Sequence, residues 1–233
     1  VVFGPGRRIM TTTHTFPGFD ERLAAIRQRI EAAALDPAAV TLMAVTKGFG
    51  PAAVRTALAA GLTVVGENYA DELVAKVAAV ADDPGPAPEW HFLGAIQRNK
   101  VPRLAPLVAC WQAVGRIEEG RAIANRHPGA RVLVQVDVAG LPGRGGVPPV
   151  EVTGLVSALR DEDLEVIGLM AVGMPGPPER TRPGFRELSR LADALSLPVR
   201  SMGMTDDLEV ALSEGSTMVR LGRALFGDRP VRT

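Results

Sequence analysis

Eight short apolar runs recur along this chain, and a segment long enough for a helix follows nearly every one. The runs are TLMAVT (41–46), TVVG (63–66), WHFLG (90–94), CWQAV (110–114), RVLVQVDV (131–138), EVIGLMAV (165–172), PVRSMG (198–203) and TMVRLG (217–222). Most are continuously apolar rather than alternating. A strand reads that way when both faces are buried, as in a parallel sheet covered by helices. Helical segments are expected near 51–60, 68–80, 97–107, 116–127, 149–160, 180–195 and 206–214. One more helix precedes the first strand: Phe19, Leu23, Ile26 and Ile30 recur at helical spacing, and Pro37 ends it.

Eight βα units in 233 residues match the size of a single (β/α)8 TIM barrel. The rival is an open doubly wound sheet, which usually carries a glycine-rich nucleotide loop after its first strand. Here that position reads KGFGPAAV, which is not GxGxxG. Residues 1–16 read as a loose leader, with Met10 a candidate natural start, and residues 17–233 as one barrel. The pieces DDPGPAPE and MPGPPERTRPG read as loops within the pattern.

Charge narrows the partners. The chain has 26 basic and 26 acidic residues, which points to neither nucleic acid nor an anionic membrane surface. No apolar run approaches the roughly 18 residues of a membrane span, and the start lacks the pattern of a secretory signal. A single cysteine, Cys110, excludes an internal disulfide and a multi-cysteine metal site, and fits a reducing cytoplasm. With His14 in the leader and His127 near a helix end, a metal cluster is not expected.

Arginine supplies 23 of the 26 basic residues, so a lysine at the end of a buried strand stands out. Lys47 ends the first strand, and barrel sites sit at the C-terminal ends of strands. Arginine stays charged at workable pH. Lysine can lose its proton when burial or a nearby cation lowers its pKa, and the neutral amine attacks aldehydes and ketones. One reading of Lys47 is therefore a Schiff-base lysine; the other is a surface lysine at a strand end.

A second cluster lies at the other end of the chain. SMGMTDD (201–207) and RLGRALFG (220–227) end the last two strands and open helices. Small residues there let an anion approach backbone N–H groups, and the loops after strands 7 and 8 are the recurrent phosphate site of the barrel. Ser201 and Thr205 offer hydroxyls, and Arg223 a charge. Ordinary capping is the alternative: Thr205 as N-cap with Asp206 and Asp207 in the first turn, both facing solvent. Closure of a barrel puts strand 1 beside strand 8, which makes Lys47 and Arg220 neighbours. A ligand with a carbonyl at one end and a phosphate at the other fits that layout, and pyridoxal 5'-phosphate is such a molecule.

The segments LMAVTKGFGPAAVRTALAAGLTVVGENYADEL, WHFLGAIQRNK, GLMAV and SMGMTDDLEVALSEGSTMVRLGRALFG resemble the pyridoxal phosphate homeostasis protein family, from about residue 17 to 229. The resemblance implies a single-domain barrel related to that of bacterial alanine racemase. It implies Lys47 as the lysine that binds the cofactor as an internal aldimine. Ser201, Gly203, Met204 and Thr205 match the family's phosphate segment, and Arg220 and Gly222 its second segment, with Arg220 meeting the pyridine nitrogen. Asn68 in GENY and Met170 in GLMAV match segments near the cofactor. Arg223 stands where the family more often has threonine or serine, and its guanidinium can replace that hydroxyl. The loop VAGLPGRGGVPP departs from the family's usual charged loop.

Other residues have plainer readings. His91 is either a structural hydrogen-bonder or a site residue. Trp90 and Trp111 read as core or rim packing, and Cys110 as a small buried apolar residue. Asn99 and Lys100 in QRNK read as surface or site mouth. Tyr69, the one tyrosine, reads as structural, which leaves no candidate for a racemase's second base. An arginine at the pyridine nitrogen also weakens the ring as an electron sink. The expected function is thus a cytoplasmic, monomeric carrier of pyridoxal phosphate, serving vitamin B6 homeostasis with PLP-dependent apoenzymes as candidate recipients. A PLP-dependent amino acid racemase is the alternative; a cofactor-free Schiff-base aldolase and a purely structural barrel are further rivals.

Overall fold

A computed structural model describes residues 16–141 and 145–229. Eight parallel strands close in chain order, from β1 through β8 and back to β1. They are β1 (Thr41–Val45), β2 (Val64–Glu67), β3 (Glu89–Phe92), β4 (Cys110–Val114), β5 (Arg131–Gln135), β6 (Glu165–Met170), β7 (Val199–Ser201) and β8 (Met218–Leu221). Helix α1 (Phe19–Ala33) precedes β1. The helices after successive strands are α2 (Pro51–Ala59), α3 (Ala70–Val80), α4 (Val101–Leu104), α5 (Ile117–Ala124), α6 (Val152–Asp161), α7 (Arg182–Ala194), α8 (Leu208–Ser213) and α9 (Arg223–Phe226). The fold is the expected TIM barrel with an extra N-terminal helix. The leader up to residue 15, with Met10 and His14, lies outside the described residues.

Departures from the expected segments have local causes. The fourth helix spans only Val101–Leu104, not 97–107. Pro102 suits a first turn, but Pro106 cannot continue a helix and restricts Ala105 before it. Strands β5, β6 and β7 end two or three residues before their apolar runs do. Of the residues past the strand ends, Val136, Ala171 and Met202 are buried in the core, and Val172 lines the C-terminal mouth.

Two layers of core hold the barrel. Outside the sheet, Trp111, Ile123, Leu159, Phe185 and Leu188 are fully buried among the strands and helices. Trp90 and Trp111 are both buried there, as packing residues; Phe92 meets Trp111 edge-on. Helix α1 lays Phe19, Leu23, Ile26 and Ile30 against Leu208, Leu212, Leu225 and Phe226, and the Phe16 ring packs on Phe49 and Phe226. Inside the barrel sit Met43, Val45 and Met218, and Cys110, Leu133 and Met170. Cys110 is fully buried, and burial pushes its thiol up to about 12, so it packs as an apolar residue. No helix among the described residues is long and apolar enough to cross a membrane.

Candidate functional site

Closure decides what shares the C-terminal mouth. β1 and β8 pair through four residues each, from Thr41↔Met218 to Ala44↔Leu221. That register delivers Lys47 and Gly222 to the same rim. Gly222 has no room for a side chain, because a Cβ there would lie 2.9 Å from the Val45 carbonyl oxygen. The result is a cavity of about 260 Å³ at the mouth. Eight residues singled out in the sequence line it: Lys47, Asn68, Met170, Met204, Thr205, Arg220, Gly222 and Arg223. The other two do not. Ser201 is fully buried, bonded to Arg220 and Gln112. Gly203 is buried in the turn after β7 at a φ of 96°, where a Cβ would meet that of Ala211 at 2.7 Å.

Lys47 is half-buried, and its proton affinity lies below the ordinary lysine value. Burial is the main cause. The guanidiniums of Arg229 and Arg220 add to it, while the Glu67 carboxylate opposes. Both backbone neighbours of Lys47 are anchored to α3. Thr46 Oγ donates to Glu67 Oε1 at 2.6 Å, and Lys76 Nζ donates to the Thr46 carbonyl at 2.7 Å and to Glu67 itself. On the far side, Gly48 N donates to Glu72 Oε2 at 2.8 Å. Lys76 and Glu67 are buried. Burial pushes the Glu67 carboxyl up, against the pull of Lys76 and the Thr46 hydroxyl.

Arg220 is held by neutral acceptors. Its Nη1 donates to the Ser201 carbonyl and hydroxyl at 2.6 and 2.9 Å, and its Nη2 to the Ala171 carbonyl at 2.7 Å. Among the described residues no carboxylate pairs with it. Burial therefore lowers its pKa to about 10, with Asp207 opposing, and it remains a cation at neutral pH. A guanidinium has five N–H donors, so two stay available beside the cavity it lines.

The turn after β7 differs from the capping alternative. Thr205 does not cap the helix; α8 begins at Leu208, with Asp207 before it. Nor does Asp207 face solvent. It is buried, and its Oδ1 accepts the Met204 N–H at 2.6 Å. Gly173 makes room for it: a Cβ there would lie 2.1 Å from Asp207 Oδ2. Asp206 lines the cavity, as does Arg229, which nothing in the sequence had marked.

Tyr69 is 55% exposed and lines a neighbouring cavity with Asn68, Gln97 and Lys100. Asn99 does not line either cavity. His91 is buried inside the barrel, away from the mouth. Of the divergent loop at 139–147, residues 142–144 lie outside the described residues. Its ends are tied by an Asp137 Oδ1 that accepts two loop N–H groups and by the Val136↔Val147 bridge. Among the described residues no group of three or more His, Cys, Asp or Glu could hold a metal ion.

Sequence reading missed Glu67, Glu72, Lys76, Gln112 and Arg229. One signal was present. Lys76 is one of three lysines in the chain and falls on the apolar face of α3, beside Leu73 and Val80. A lysine there is buried and must be paired.

Several features suit pyridoxal phosphate. An amine of lowered proton affinity, three arginines, the Thr205 hydroxyl and the bare backbone of Gly222 line one cavity. Asn68 Oδ1 at its wall is buried with no partner among the described residues. An anion and a carbonyl each find matching chemistry.

The family profile described as alanine racemase, N-terminal domain, matches residues 21–230. The pyridoxal phosphate homeostasis protein of Pseudomonas aeruginosa is 39% identical over 216 residues, covering 88% of this chain and 92% of its own. That of Aquifex aeolicus is 36% identical, covering 90% and 97%. Among solved structures, PipY of Synechococcus elongatus with PLP bound superposes with a TM-score of 0.76 at 28% identity, covering 90% of this chain and all of that one. The chain therefore belongs to the pyridoxal phosphate homeostasis protein family, and its barrel is an alanine racemase N-terminal domain.

Proposed function

We propose that this protein binds pyridoxal 5'-phosphate through Lys47 and buffers the cofactor, handing it to PLP-dependent apoenzymes, as a cytoplasmic monomer. One observation carries the reading: a half-buried lysine of lowered proton affinity shares the cavity at the barrel mouth with three arginines. When bound, the cofactor supplies an aldehyde that condenses with an amine and a phosphate that anchors it. Lys47 offers the free amine. Thr205, Arg223 and the backbone around Met204 and Gly222 offer donors to the phosphate. Asn68, Met170 and Arg220 frame the ring, and Ser201 and Gly203 hold Arg220 and the turn in place.

The same residues favour holding over turnover. Arg220 can donate a hydrogen bond at the ring but stays protonated, so it gives up no proton there. Tyr69 does not line the cavity, and four of the cavity's five ionisable side chains are Lys47 and arginines. A racemase needs a proton donor and acceptor on opposite faces of a carbon; among the described residues the cavity lining offers Lys47 no tyrosine, and its one carboxylate is Asp206.

Purified protein given pyridoxal phosphate should develop the visible band of the lysine-bound cofactor, and Lys47→Ala should abolish it. A Lys47→Ala variant that keeps the band and the full cofactor content would refute the reading. Deuterium exchange at Cα of L- and D-alanine should stay far below one event per second; exchange above about one per second, within the ordinary enzyme range, would make the protein an enzyme.

A further inference from the structure

A buried polar file crosses the barrel interior. At the N-terminal end, Arg131 Nη2 and His91 Nε2 both meet Glu89 Oε1, at 2.8 and 3.1 Å. His91 Nδ1 lies 2.7 Å from Gln112 Nε2. Ser201 Oγ donates to Gln112 Oε1 at 2.7 Å, and Arg220 Nη1 donates to Ser201 Oγ at 2.9 Å. Five strands contribute: β3, β4, β5, β7 and β8. His91, Gln112, Ser201 and Arg220 are all buried. The file thus runs from a half-exposed carboxylate at one end of the barrel to the cavity at the other.

Counting hydrogens gives the file a direction. The two N–H groups of Gln112 face His91 Nδ1 and, at 3.1 Å, the Met218 sulfur, and both are acceptors. Gln112 Oε1 takes the Ser201 hydroxyl hydrogen. His91 Nδ1 therefore carries a lone pair, and its one ring N–H sits at Nε2, facing Glu89. Ser201, having given its hydrogen to Gln112, has lone pairs for Arg220. Turning the Gln112 amide over would set two donors on Ser201 Oγ and leave the Ser201 hydrogen without its acceptor. Only neutral acceptors orient Arg220, so the Ser201 hydroxyl matters to it more than it would to an arginine clamped by a carboxylate.

We propose that His91, acting through Gln112 and Ser201, is a positioning residue that sets the Arg220 guanidinium at the cofactor cavity. The inference rests on that cavity being the pyridoxal phosphate site and adds a residue that touches no cofactor. Asparagine at position 91 offers a carbonyl oxygen in place of Nδ1; leucine offers nothing. Affinity and dissociation rate of pyridoxal phosphate should be measured for wild type, His91→Leu, His91→Asn, Arg220→Lys and the His91→Leu/Arg220→Lys pair, with thermal unfolding of each. His91→Leu should weaken binding about tenfold, the scale of one misaligned charge-assisted bond. His91→Asn should stay within about twofold of wild type, and His91→Leu should add nothing once Arg220 is lysine. Equal binding by His91→Leu and His91→Asn, or a full His91→Leu loss on top of Arg220→Lys, overturns the proposal. If His91→Leu does not fold, Gln112→Met cuts the same file; a folded Gln112→Met with wild-type affinity overturns it too. Failure of wild type to take up the cofactor is a different result, and it removes the site along with the file.

Discussion

A lysine attacks a carbonyl only as the free amine. Around Lys47, burial and two arginines favour that form, and Glu67 alone among the named causes opposes it. The pKa in the folded protein is therefore below the ordinary 10.5. The rate of cofactor uptake should rise with pH as Lys47 loses its proton and level off at a pH below that value. Arg229→Ala removes the larger of the two cationic contributions, so its profile should move to higher pH. The shift should be smaller than the total displacement of Lys47, because burial is the leading cause and survives the substitution. Stopped-flow uptake from neutral pH upward checks this; a profile that stays put, or moves to lower pH, refutes it.

Helix α3 sets the end of β1. Lys76 and Glu72 on α3, with Glu67 at the end of β2, hold the backbone on both sides of Lys47. A buried ion pair adds little to stability over an apolar pair of similar volume, but breaking it from one side leaves a bare buried charge. Lys76→Met alone should cost about 3–5 kcal/mol in urea unfolding, and adding Glu67→Gln should recover much of that loss. At a pH where Lys47 is already neutral, the double variant should nevertheless take up cofactor more slowly than wild type, since Thr46 loses the lysine on its carbonyl. Equal stability of the single and double variants would show that no charge is stranded. The same elements separate what was legible from what was not. Lys47 stood out locally, as a lysine ending an apolar run. Its supports come from residues 67, 72 and 76, and no local pattern ties them to residue 46.

At the scale of the whole molecule, several surface carboxylates are paired with arginine. Glu209, Glu214, Glu179 and Glu187 are held below the ordinary range by hydrogen bonds from Arg29, Arg186, Arg182 and Arg190. Glu89 is held at about 2, first by His91 and also by Arg131. A depressed carboxyl contributes stability that is complete above its unfolded value and is lost as pH falls toward the folded value. The urea midpoint should therefore hold steady above roughly pH 5.5 and fall as pH drops through the ordinary glutamate range toward 2. A midpoint that climbs with acid would contradict the sign. The number and chain order of the strands, the leading helix and the place of Lys47 at a strand end were determined by the sequence itself. Apolar continuity, proline positions and the place of a rare lysine are local properties that survive in any neighbourhood. Which residues face inward was decided only by closure. A run buried on both faces does not show its inward side, so His91, Gln112, Ser201 and Arg220 form one file only because β3, β4, β7 and β8 close around a common axis. Asp207 turned inward for the same reason: the Met204 N–H and the bare Gly173 that receive it are neighbours in space, brought there by the closed sheet.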